Sequence, residues 1–150
     1  MDDHSGTGVY IGKELESREF TITPEFVARY MTGVGRPNPW YEQASPYGRP
    51  IAPAAILYFG PARLRGWTVP GARSVRNSEQ EWSFSGPIYV GETLMLRGVV
   101  RDRYVYRGRD HVAHEMTAYN QDGKQVARGT QITSWIADEN TTPPDVARRE

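Results

Sequence analysis

The chain has 150 residues, 18 basic and 18 acidic side chains, three histidines and no cysteine. Its length fits one domain that buries roughly two-thirds of its unfolded surface without disulfide or metal staples. The lack of cysteine excludes a disulfide scaffold, a cysteine-rich zinc site, an iron–sulfur cluster and a thiol nucleophile, and zero net charge argues against general nucleic-acid binding.

No apolar run approaches the roughly 20 residues of a membrane span. The polar, acidic start Met1-Asp2-Asp3-His4-Ser5-Gly6 has no signal-peptide pattern. A cytoplasmic protein with no membrane and no nucleic-acid partner is the expectation. Residues 1–8 and 138–150 read as flexible ends around a single domain over 9–137, the second because Asp138-Glu139-Asn140-Thr141-Thr142-Pro143-Pro144 lacks apolar residues.

The first element is a helix. Thr23 suits an N-cap, Pro24 the first helical position and Glu25 the positive end of the dipole. Phe26, Val27, Tyr30 and Met31 follow at helical spacing, with Gly33 as the expected end. Residues 34–50 are broken by prolines and glycines and read as a long ordered loop with one helical turn, a length that usually serves function. The apolar, alanine-rich run from Ile51 predicts a buried helix from about Pro53 towards Trp67, with a kink or break at Gly60-Pro61.

From residue 74 onward the period changes to two. Strands are predicted over 79–85, 93–106, 111–119 and 125–136, with Leu94, Leu96, Gly98 and Val100 on one face of the second. The tight turns at Arg107-Gly108 and Asn120-Gln121-Asp122-Gly123 make the last three an antiparallel meander. An apolar helix plus a meander predicts an α+β layer in which the sheet wraps the helix.

Neither a phosphate-binding glycine loop nor a glycine-flanked serine elbow occurs in the sequence. His111 and His114 lie three apart in a predicted strand, so they point to opposite faces and cannot share a metal ion. The charge distribution says more. Between Gln43 and Ser78 there is no acidic residue, yet Arg49, Arg63, Arg65, Arg73 and Arg76 lie there. Such a segment suits a phosphate-bearing group or an acidic carrier protein, or else forms a solvated face balanced by acids elsewhere.

Gly35-Arg36-Pro37-Asn38-Pro39-Trp40-Tyr41, followed by Gly48-Arg49-Pro50-Ile51-Ala52-Pro53, resembles the MaoC-like hydratase/dehydratase family. That family carries a loop Gly-Asp-x-Asn-Pro-x-His before a helix start of the Ile-Ala-His-Gly or Ile-Ala-Pro-Pro kind. Gly91-Glu92-Thr93-Leu94 resembles its Gly-Asp-x-Leu strand start, and residues 121–129 resemble its final hairpin. The likeness runs from about Phe20 to Trp135. It implies a single hot-dog fold, a long antiparallel sheet wrapped around a central helix, with two such units pairing edge to edge.

In the family, an aspartate and a histidine five positions later activate the water that adds to a 2-enoyl thioester. Arg36 and Tyr41 stand at those positions, and neither is a general base near neutral pH. What remains is the binding half of a site. The resemblance assigns carbonyl binding to the backbone N–H of Ala54, with Arg36, Asn38, Tyr47 and Gly48 as further substrate-binding positions. Arg63, Arg65, Arg73 and Arg76 are the expected contacts to the carrier. No tightly bound cofactor is expected; coenzyme A or phosphopantetheine would carry the substrate. The chain then pairs, as homodimer or heterodimer, and the resemblance to heterodimeric dehydratases favours a dyad-less subunit beside a catalytic paralogue. Two alternatives stand: an independent enzyme with a site rebuilt from Tyr41, Asp110, His111 or Glu42, and a non-catalytic binder of an acyl carrier or hydrophobic ligand.

Overall fold

The computed structural model describes residues 8–35, 38–58 and 63–150. The flexible start expected over 1–8, Gly8 apart, and the break at Gly60-Pro61 fall outside them. Chain order is β1 (Arg18–Thr21), α1 (Pro24–Val34), a 3-10 turn (Pro39–Tyr41), a 3-10 helix (Ala54–Tyr58), β2 (Arg76–Phe84), β3 (Thr93–Tyr106), β4 (Arg109–Tyr119), β5 (Gln125–Ile136) and β6 (Ala147–Arg149). The six strands form one sheet. Five follow the order β1-β3-β4-β5-β2, antiparallel throughout, and β6 adds parallel to β3 beyond β1. This is the α+β hot-dog arrangement.

Helix α1 begins as its sequence requires. The Thr23 hydroxyl accepts the Phe26 N–H at 3.0 Å, and Pro24 takes the first helical position. The helix ends later than expected. Gly33 stays helical, and Gly35 adopts the left-handed conformation (φ 72°) and donates its N–H to the Met31 carbonyl at 2.8 Å. Phe26 and Val27 turn into the core, each burial worth about 1.5–3 kcal/mol.

The long helix expected from Pro53 to Trp67 is not formed. Among the described residues of this run only Ala54–Tyr58 coil, as a 3-10 helix that buries Ile56 and Leu57. From Arg63 the chain is non-helical: Arg65 bridges Glu16 antiparallel, Gly66 takes φ 89°, and the Trp67 indole donates to the Leu64 carbonyl at 2.9 Å.

The meander is as its period predicts, with strand ends within a few residues. Leu94, Leu96 and Val100 are fully or almost fully buried on one face of β3. That inner face packs against Phe26 and Val27 of α1, Ile56 and Leu57 of the 3-10 helix, and Leu64 and Trp67.

The tail 138–150, expected to be flexible, holds local order over part of its length, while residues 143–150 are largely exposed. Asp138 organises a turn by accepting from the N–H of Asn140 and from the N–H and hydroxyl of Thr141. Thr141 and Thr142 are buried, and β6 pairs with the end of β3. Polar satisfaction holds this segment, not apolar surface. No helix among the described residues is long and apolar enough to cross a membrane.

Candidate active site

A cleft of about 720 Å³ lies between α1 and the loop that follows it. Val27, Ala28 and Met31 of α1 line it, with Asn38, Pro39 and Tyr41 of the loop. Pro50, Val90, Glu25, Glu42 and Gln43 also line it.

Local sequence builds this loop. The Asn38 side chain accepts the Trp40 N–H at 3.0 Å and so caps the turn Pro39–Tyr41, which carries Tyr41 into the cleft. Ser45 organises the next turn: its hydroxyl accepts the Tyr47 N–H at 3.1 Å and donates to the Arg49 carbonyl at 2.7 Å, while Gly48 takes φ 91°. Arg49 then stacks 3.7 Å over the Tyr89 ring and meets Glu92 at 3.4 Å. Glu92 is buried and also accepts the Tyr89 N–H at 3.2 Å. The loop is thereby tied to the start of β3. Burial and the neighbouring Tyr41 phenol push the Tyr30 phenol above its ordinary value, so it stays protonated.

The substrate-binding expectations divide. Asn38 and Tyr41 line the cleft. Arg36 lies outside the described residues. Tyr47 projects outward at 60% exposure and Gly48 is a turn glycine; neither lines the cleft. Ala54 opens the 3-10 helix and is exposed, four residues beyond Pro50.

Two of the three catalytic expectations are not brought to the cleft. Asp110 is wholly buried, with its carboxylate held by Arg103 at 2.7 and 3.1 Å and by the Thr142 hydroxyl at 2.8 Å. It is a structural counter-ion, not an available base. His111, on the opposite face, stacks on Tyr104 with ring centroids 4.9 Å apart, and its Nδ1 lies 3.0 Å from the Arg109 carbonyl. His114 points inward, stacked against Trp67, with Nδ1 unpartnered; burial lowers its pKa to about 4 despite a hydrogen bond with Gln131. The two histidines face opposite ways, as strand spacing demands. No cluster of three or more metal-ligating side chains occurs among the described residues.

The arginine-rich segment does not converge on one site. Arg63 and Arg65 line a second cleft, of about 760 Å³, together with Trp67 and Gln131. Arg73 meets Asp138 at 3.5 Å instead. Arg76 begins β2 near Arg109, whose guanidinium is held below its usual range by burial and then by the Arg76 charge. Sequence reasoning missed Arg18, which lines the second cleft and donates to the Arg63 carbonyl at 3.2 Å; β1, four residues long, is too short to show a period. The two clefts share no lining residue.

Residues 9–129 match the model of the FAS1-like, dehydratase domain region. Among curated proteins none matches the sequence. Several solved structures share the fold. The R-hydratase PhaJ1 from Pseudomonas aeruginosa superposes with a TM-score of 0.59 at 20% identity, over 91% of each chain. A MaoC-like dehydratase from Rhodospirillum rubrum gives 0.60 at 17% identity, over 90% of this chain and 95% of that one. The HadBC (3R-hydroxyacyl-ACP dehydratase) complex from Mycobacterium tuberculosis gives 0.64 at 16% identity, over 83% and 96%.

Proposed function

The chain belongs to the family of the FAS1-like dehydratase domain region, a MaoC-like hot-dog family, and from that membership we propose that it is the acyl-binding subunit of a hydratase/dehydratase assembly. Its substrate is an acyl thioester on coenzyme A or on the phosphopantetheine of an acyl carrier protein, and its setting is the cytoplasm. One observation carries the reading. The cleft beside Asn38 offers a phenol and two carboxylates, and no histidine or aspartate among its described lining residues.

Hydration of a 2-enoyl thioester adds water across the double bond: hydroxide to C3 and a proton to C2. A base must take a proton from water as the C3–O bond forms, and an acid must return one to C2. A paralogous partner with the aspartate and histidine supplies that transfer. This chain holds the acyl group against Val27, Ala28 and Met31, with Asn38 and the Tyr41 hydroxyl as polar contacts. Arg18, Arg63 and Arg65 suit the phosphates of the carrier. The Ala54 N–H is the donor for the thioester carbonyl, a role that needs no particular side chain.

A second reading, a stand-alone enzyme, is favoured by Glu42 lying beside Tyr41 on the same cleft. Hydration of a short 2-enoyl-CoA by the purified chain, followed by loss of the conjugated absorbance, separates the two. The expected result is no turnover with saturable binding retained, and binding weakened about tenfold or more by Met31→Trp, which fills the apolar wall. Turnover abolished by Glu42→Gln or Tyr41→Phe would establish the stand-alone enzyme.

A further inference from the structure

The second cleft, of about 760 Å³, has the size of a small-molecule site. Its lining divides by burial. Arg63 and Arg65 are exposed and Arg18 is half-buried, whereas Leu57, Leu64, Trp67 and Met116 are buried. Cations therefore stand towards water and apolar side chains towards the core. None of the three guanidiniums forms an ion pair among the described residues. Glu16, which bridges Arg65 through the backbone, is no exception.

The charged and apolar parts adjoin. The Arg63 guanidinium lies 5.3 Å from the centre of the Trp67 ring, and Trp67 is stacked on the buried His114. Arg18 is held beside Arg63 by its hydrogen bond to that residue's carbonyl at 3.2 Å. The amides of the lining are engaged already: Asn77 donates to Gln80 at 2.8 Å, and Gln131 bonds with His114. The Thr68 hydroxyl, also on the lining, is out of water with no hydrogen-bond partner. A hydroxyl left so is costly until another polar group meets it. The cleft beside Asn38 has the opposite charge: Glu25 and Glu42 line it, with no arginine or lysine among its described lining residues.

We propose that the second cleft binds an amphipathic anion as one unit. A carboxylate or phosphate head sits on Arg18, Arg63 and Arg65, and an unbranched apolar tail lies against Leu57, Leu64, Trp67 and Met116. Guanidinium forks match either head, and the Thr68 hydroxyl is available as one more donor. A free carboxylic acid and an alkyl phosphate share this chemistry. The inference goes beyond the subunit reading, in which the same arginines suit the phosphates of the carrier and the acyl group lies beside Asn38. Here head and tail occupy one cleft, and the other cleft takes no part.

The test is calorimetric titration of the whole chain with decanoate and with decyl phosphate. Saturable binding of at least one is expected, and the tighter of the two identifies the head. Shortening its tail by two methylenes is expected to weaken binding about tenfold. Decanol, which lacks the charge, is expected to bind about tenfold or more weakly. The variant Arg63→Gln/Arg65→Gln, verified as folded by circular dichroism, is expected to lose as much, whereas Met31→Trp in the other cleft leaves the affinity unchanged. No saturable binding of either anion overturns the proposal. So does decanol or the tail-less pair of acetate and inorganic phosphate binding as tightly as the amphipathic anions. Loss of binding in Met31→Trp with the arginine variant unaffected overturns it too. The hydration assay follows an acyl-CoA and the cleft beside Asn38, so its failure and the failure of this titration are distinguishable.

Discussion

At the residue scale, His114 is the most perturbed group of the interior. Its imidazole is 1% exposed and lies flat against Trp67, and desolvation holds its pKa at about 4, against 6.5 for a free histidine. The unfolded chain therefore binds a proton between those values that the folded chain refuses. Stability from this group is fully present above pH 6.5 and is lost as pH falls towards about 4, with a slope approaching 1.4 kcal/mol per pH unit. His114→Phe keeps an aromatic ring beside Trp67 and removes the titration. Urea unfolding at neutral and mildly acid pH is expected to show the wild type losing more stability than the variant. Equal losses would show that His114 accepts its proton without cost. The same residue shows why a histidine in a strand need not mark chemistry: the face it occupies decides its role, and here that face is core.

At the scale of elements, the central glycines of the sheet permit its closest approaches. A Cβ on Gly129 would sit 2.6 Å from both the Glu81 carbonyl and the Trp82 ring, backbone and a packed aromatic that cannot yield. On Gly98 it would meet the tip of the buried Leu64 at 2.6 Å, a side-chain end that can give more than a carbonyl, with Leu15 at 3.1 Å and the Glu115 carbonyl at 3.2 Å. Gly129→Ala is therefore expected to destabilise by about 1–3 kcal/mol, and Gly98→Ala by less, in parallel urea titrations. The reverse order would show that β2 moves aside more easily than Leu64 does. Regular elements of this kind were legible beforehand. The period of two over β3 to β5 and the cap, proline and acid at Thr23-Pro24-Glu25 each express one local rule. What stayed hidden obeys no local rule. β1 is too short to show alternation, and the run after Ile51 satisfies an apolar helix pattern although, among its described residues, only Ala54–Tyr58 coil. Asn38 and Tyr41 line a cleft together with the preceding helix α1, whereas Val90 reaches it from distant sequence. Asp110 and His111 looked alike beside a turn; only the fold separates a buried counter-ion from a half-exposed ring.

At the scale of the whole molecule, Arg103 is the junction. Its guanidinium pairs with Asp110 on the neighbouring strand and donates to the Val9 carbonyl at 2.6 Å and the Thr141 carbonyl at 3.0 Å. Both partners of the ion pair are almost wholly out of water, with side-chain exposures of 6% and 0%. Asp110→Asn leaves a buried cation uncompensated and is expected to cost about 3–5 kcal/mol. Limited proteolysis of that variant is expected to release the segment after residue 137 well before the core is cut. A variant of unchanged stability would reopen a catalytic role for this carboxylate. The arrangement also bears on how the protein is made. Chains leave the ribosome N-terminus first, so the meander emerges while Thr141 and Thr142 are still to come. Until they arrive the guanidinium lacks the Thr141 carbonyl and the carboxylate lacks the Thr142 hydroxyl, and this end of the inner face stays open to water. Closure therefore waits on the segment that holds Thr141 and Thr142, and a chain cut before them keeps an unsealed interior that cellular proteases can recognise.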